Sequence, residues 1–236
     1  MFRNGSFAAI FFCCLACAAT SVHAAAVHAT LSATDERVEK CLAQLPMSVR
    51  AALRDPASRS HLQLSAREQR VFAACAVERR AAADAVASEQ LRDALVAMAQ
   101  RAPEFAGHAV PQPVRDEAAA IAQRLVMATQ TQATLAHMVG SPLFNNFLMH
   151  VGARRGGYCY QWTIAELEAL HTLPHHMFDW QWAVAAQGHV TENNAVVMTL
   201  HGQPLHSGIV YDAWRGAGHP WWRAVAKDHY RWRTRE

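Results

Sequence analysis

Cys159 stands in the stretch Arg154-Arg155-Gly156-Gly157-Tyr158-Cys159-Tyr160-Gln161-Trp162, where a glycine pair delivers a thiol to the start of a predicted helix running to about Leu170. At that place unpaired backbone N–H groups and the positive end of the helix dipole favour the thiolate, the form that does nucleophilic chemistry. Such a nucleophile needs a base to take its proton, and the base needs a group to orient it. Asp212, in Ile209-Val210-Tyr211-Asp212-Ala213-Trp214-Arg215, has the type and place of an orienter. The base is the difficulty. Just before the strand predicted within Thr191-Glu192-Asn193-Asn194-Ala195-Val196-Val197-Met198 the residue is Asn193, and an amide does not accept a proton near neutral pH. The nearest imidazole is His189, four residues earlier, which reaches the thiol only if its turn folds back. Two plainer readings stand beside these. Cys159 can be a small buried hydrophobe among aromatics, and Asp212 can pair with Arg215 or Arg154 for structure alone.

The setting of that thiol is extracytoplasmic. Arg3 followed by the apolar run Phe7 to Ala19 is too short to span a bilayer, and Val22-His23-Ala24 supplies small residues for cleavage, so residues 1–24 are expected to be a signal peptide. Cys17 leaves lipid anchoring as a minor alternative, and otherwise the protein is periplasmic or secreted. Without that segment three cysteines remain, Cys41, Cys75 and Cys159. In an oxidising compartment Cys41 and Cys75 can pair, which leaves one free thiol for which catalysis is one reason. The chain is 52% hydrophobic and 17% charged, as a globular protein is, and its net charge of +3 is too small to imply a nucleic-acid partner. No later apolar run is long enough for a membrane span. No cofactor motif is present, and the histidines at His171, His175 and His176 straddle Pro174 without a metal-ligand pattern, so no metal is expected.

The elements that must position these residues fall into two regions. Residues 25–140 read as helical: one helix from Asp35 to about Leu45, a short one from Ser48 to Leu53, a long one from the capping box Ser65-Ala66-Arg67-Glu68 to about Ala99, and one from Val114 to Thr129 with Ala118, Ile121, Leu125 and Val126 inward. Composition changes at Gly140-Ser141-Pro142, beyond which all 7 tryptophans lie. Within 141–236, Leu143 to Val151 is helix or strand, and Trp180 to Ala186, Ala195 to Leu200 and Ser207 to Tyr211 are predicted strands, the last two an antiparallel hairpin turning at His201-Gly202-Gln203-Pro204. The fold class is therefore α+β. Trp214, Trp221, Trp222 and Trp232, interleaved with arginines, read as the cover of a small sheet with cation–π contacts more than as a base- or sugar-stacking surface.

Taken together, Arg155 to Trp162, Asn193-Asn194-Ala195-Val196-Val197, Gly208 to Arg215 and the tryptophan-rich end with Trp221-Trp222 and Tyr230-Arg231-Trp232 resemble a group of bacterial exported proteins with a transglutaminase-like, papain-like core. The resemblance covers roughly Leu143 to Trp232 and implies a helix-plus-antiparallel-sheet thiol hydrolase scaffold, with Cys159 as nucleophile and Asp212 as orienter. It also implies a histidine at the place of Asn193, where this chain departs. The substrate so implied is an acyl group, a peptide or isopeptide amide. Base catalysis is worth a factor of about 100 to 10,000, so loss of the histidine leaves a slow enzyme, or a catalytically silent binding or structural protein whose cleft holds a partner.

Overall fold

A computed structural model describes residues 36–59, 61–137, 141–153, 156–174 and 176–236. The expected signal peptide, Cys17, Arg154 and His175 lie outside the described residues. The chain divides into two compact units, one up to Val86 and one from Ala87 onward. The boundary falls within the residues of one long helix, Ala66–Gln100.

In the first unit residues 36–42 are helical (α1), followed by α2 at Met47–Arg54 and a short α3 at Pro56–Arg59. The expected capping box opens α4 (Ala66–Gln100): the Ser65 N–H and hydroxyl donate to Glu68 Oε2 at 2.8 and 2.7 Å, and the Glu68 N–H returns to Ser65 Oγ at 3.4 Å. Two orphan donors at the helix start are thereby satisfied. Cys41 and Cys75 form a disulfide across a sequence separation of 34 residues. It ties α1 to α4 and lowers the entropy of the unfolded chain, which suits a unit with few buried apolar side chains of its own.

The second unit contains the end of α4, then α5 (Gln112–Ala136), α6 (Pro142–His150), α7 (Cys159–His171) and five strands. Helix α5 continues past Thr129 to Ala136, and Ala118, Ile121, Leu125 and Val126 all point inward as their spacing predicts. The strands are β1 (Phe178–Ala185), β2 (Asn193–Leu200), β3 (Ile209–Tyr211), β4 (Trp222–Ala224) and β5 (Arg233–Thr234). They form one antiparallel sheet in the order β4-β3-β2-β1-β5. The α+β class, helices first and then an antiparallel sheet, is what the residue pattern predicts, with the β2–β3 pair turning at His201 to Pro204. The composition change at Gly140 falls inside this second unit.

Strand β2 is central and buried along its whole length. Its two faces do different work. Val196, Met198 and Leu200 join Phe178, Ile209 and Tyr211 in a core shared with Leu95, Ile121, Leu125 and Trp162 of the helices. Ala195 and Val197 join Ala183, Val210, Val225 and Trp232 on the far side. Even-numbered residues of β2 therefore face the helices and odd-numbered ones face away, the period-2 alternation of a strand. A buried hydrogen bond of 2.7 Å between Thr129 and Tyr211 hydroxyls fixes α5 against β3.

Candidate active site

The loop before α7 explains how the thiol is presented. Gly156 and Gly157 have φ of 118° and 106°, values that residues with a side chain rarely adopt. Gln161 Oε1 then accepts the N–H groups of Gly157 at 2.6 Å and Tyr158 at 3.0 Å, so the third residue of the helix closes its own entrance. Cys159 becomes the first residue of α7, buried and not in a disulfide. Tyr158 and Tyr160 stack on each other beside it, at 5.9 Å between ring centroids.

Cys159 Sγ lies 3.6 Å from Asn194 Nδ2 and 3.7 Å from the Glu192 carbonyl oxygen. Asn194, not Asn193, is the strand residue that meets the sulfur. The alternation of β2 requires this, because Asn194 shares the helix-facing side with Val196 and Met198. Asn193 instead donates its amide to Asp212 Oδ2 at 2.7 Å. The two asparagines are joined by the Asn194 N–H donating to Asn193 Oδ1 at 3.0 Å. Two amides thus occupy the space between sulfur and carboxylate. His189 is exposed in the turn between β1 and β2, where its carbonyl accepts the Glu192 N–H at 2.8 Å. The turn folds back far enough to bring the Glu192 backbone to the sulfur. Among the described residues, however, the hydrogen-bond partners of that sulfur do not include the His189 imidazole.

Asn194 is itself firmly held. Its Oδ1 accepts from Trp182 Nε1 at 2.7 Å and from Arg235, while its Nδ2 also donates to Glu192 Oε1 at 2.9 Å. Hydrogen bonds from the Gly188 N–H and the Asn194 amide, with the Arg235 charge nearby, hold the Glu192 carboxyl below its usual range. Asn194 and Glu192 are the site residues that motif reading passed over. Strand alternation counted from Val196 and Met198 identifies Asn194 only once the face of β2 that meets the helices is known.

The electrostatics oppose thiolate formation. Burial pushes the Cys159 thiol above its usual value, and the charge of Asp212 adds to this. The Asn194 hydrogen bonds pull the other way without restoring it. The favourable helix terminus expected from sequence is outweighed by desolvation. Burial also raises Asp212, against the Arg215 N–H at 2.9 Å, the Arg215 charge and the Asn193 amide. The Arg215 Nε lies 3.2 Å from Asp212 Oδ2 but is not aligned for a hydrogen bond, so this contact is purely ionic. The structural pairing of Asp212 with Arg215 is therefore present.

Glu166, two turns along α7, is fully buried and its carboxyl is driven well above the usual range, first by burial and then by the Asp212 charge. Its Oε1 has no hydrogen-bond partner among the described residues. A raised folded-state value means that its contribution to stability is complete below the pKa of an unfolded glutamate and is lost as pH rises. Glu166→Gln removes that slope. Urea unfolding between about pH 5 and pH 7 should show the variant gaining on wild type by up to about 1.4 kcal/mol per pH unit. Parallel stability curves would show that the folded protein holds Glu166 ionised.

Among the described residues no group of histidine, cysteine, aspartate and glutamate side chains is arranged to hold a metal ion, and no helix is long and apolar enough to cross a membrane. The chain matches no protein-family model, no curated protein and no solved structure.

Proposed function

We propose that this is an exported protein with a transglutaminase-like, papain-like cysteine hydrolase core whose cleft holds an acyl group, of a peptide or isopeptide, without turning it over at an enzyme's rate. The observation that carries this reading is the Asn194 amide at the Cys159 sulfur, a donor where general-base chemistry needs an acceptor. Export is supported by the Cys41–Cys75 disulfide together with the expected leader. The scaffold reading is supported by a cysteine at a helix start, an antiparallel sheet packed on that helix, and an aspartate at the end of the neighbouring strand.

A residual enzyme is the second reading. It is favoured by the persistence of Cys159 at the first helical position and of Asp212 in a buried, oriented state. Its cycle would be attack by the thiolate, an oxyanion held by the N–H groups at the α7 terminus, and release of the acyl group to water or an amine. Alkylation of wild-type protein by iodoacetamide separates the two. A buried thiol with a raised pKa should react slowly, with a rate that rises about tenfold per pH unit from pH 6 to pH 8. A plateau already reached near neutral pH would show a stabilised thiolate and overturn the silent reading.

A further inference from the structure

A second site is built at the opposite end of β2 from Asn194, six residues or about 20 Å of strand away. A cavity of about 510 Å³ there is lined by Arg101 just past α4, His206 in the short helical turn Leu205–Ser207, and Lys227 at the end of the turn Val225–Lys227. Three segments far apart in the chain thus bring cationic or protonatable side chains to one hollow. No aspartate or glutamate lines it. Among the described residues none of the three makes an ion pair, whereas Arg80, Arg92, Arg215 and Arg235 all do. Gln203 adds an amide donor at the rim. The floor is apolar, and its Met98, Ala102 and Leu200 are buried.

Cations without a carboxylate partner repel one another, and burial of the apolar floor does not require them. Their gathering has a physical use if an anion completes the charge balance, and a group with two negative charges and several acceptor oxygens matches two cations, a histidine and an amide. The apolar floor has room for an organic body behind that head group. We infer that this cavity binds a phosphate monoester carrying an apolar portion, with the phosphate between Arg101 and Lys227 and the apolar portion against Met98 and Leu200. The inference does not depend on any activity of Cys159.

Calorimetric titration of the full chain with phenyl phosphate tests it, with inorganic phosphate and phenol as the two halves of the ligand. Phenyl phosphate should bind at least about tenfold more tightly than either half, and at least about tenfold more weakly to the double variant R101Q/K227Q. Both substitutions fall on exposed side chains and should leave the thermal midpoint unchanged. Because the same head group occurs on phosphatidic acid, co-sedimentation with vesicles containing that lipid assigns the site to a membrane surface. Binding of phenyl phosphate without co-sedimentation assigns it to a soluble ester. Absence of binding at about 1 mM phenyl phosphate, or equal binding to the double variant, would overturn the inference.

Discussion

Replacing Arg215 by methionine should cost about 3–5 kcal/mol of stability, the loss seen when one member of a buried ion pair is removed. Arg215 donates to both oxygens of Asp228 at 3.0 and 2.7 Å, and its guanidinium lies 3.6 Å from the centroid of Trp221 with Tyr230 and Trp232 around it. Methionine keeps much of the bulk in this cage but leaves Asp228, whose side chain is inaccessible, without its cation. Burial alone pushes the Asp228 carboxyl up. The hydrogen bonds from Arg215 and Trp232 more than reverse this and hold it far below its usual range. The pair therefore stabilises the fold above the pKa of an unfolded aspartate, and that contribution is lost as pH falls. Urea unfolding should show the deficit of Arg215→Met largest near neutral pH and shrinking in acid. Adding Asp228→Asn should recover part of it, since the stranded charge is gone. A deficit below about 1 kcal/mol would place the pair with ordinary surface ion pairs.

The same cage determines how well Asp212 is oriented, because Arg215 also holds Asp212 through its backbone N–H and its Nε. Asp212 is thus fixed by structure whether or not a proton ever travels toward it. The position of an aspartate at a strand end was legible in the sequence, but its partners were not. Arg215 was one of two arginines open to Asp212 in the sequence, and the path of the chain from β3 through the turn at Trp214 brings Arg215 to it.

Helices and caps were the most legible parts, for a local reason. The Ser65–Glu68 capping box and the Ala118, Ile121, Leu125 stripe act within one or two turns of chain, so their pattern is readable without tertiary information. The strand faces were harder. In β2 both sides are buried, so Ala195 and Val197 are as apolar as Val196 and Met198, and nothing in the residue types says which parity meets the helix. A shift of one residue then moves the candidate base position from Asn193 to Asn194. The short strands β4 and β5 carry no readable pattern, being three and two residues long and stabilised by their neighbours more than by propensity. The raised thiol is a tertiary effect of the same kind. The sign of the helix-terminus term could be read at Gly157-Tyr158-Cys159, while the opposing desolvation comes from chain segments brought over the sulfur.

Asn194→His should convert the pH profile of Cys159 alkylation from a continuous rise into a plateau. An imidazole at that position can accept the thiol proton, and Glu192 Oε1, which now accepts from the Asn194 amide at 2.9 Å, can accept the other ring N–H. The thiolate–imidazolium pair would lower the thiol pKa to neutrality or below. The gain in rate is smaller than the gain in thiolate, because nucleophilicity falls as pKa falls; about tenfold at pH 6 is expected, disappearing by about pH 8 to 9. Asn194 is only 2% exposed, so the larger ring must be accommodated, and Asn194→Gln controls for added bulk without adding a base. The histidine variant should plateau near neutral pH while wild type and the glutamine variant keep rising. If all three folded proteins gave the same rising profile, an imidazole at residue 194 would not be able to deprotonate the sulfur, and the role given to the missing base would fail. If the plateau appears and a peptide amide is then hydrolysed measurably faster than by wild type, the remaining machinery at the α7 terminus and Asp212 is competent, and the silence proposed for the natural protein resides in one amide.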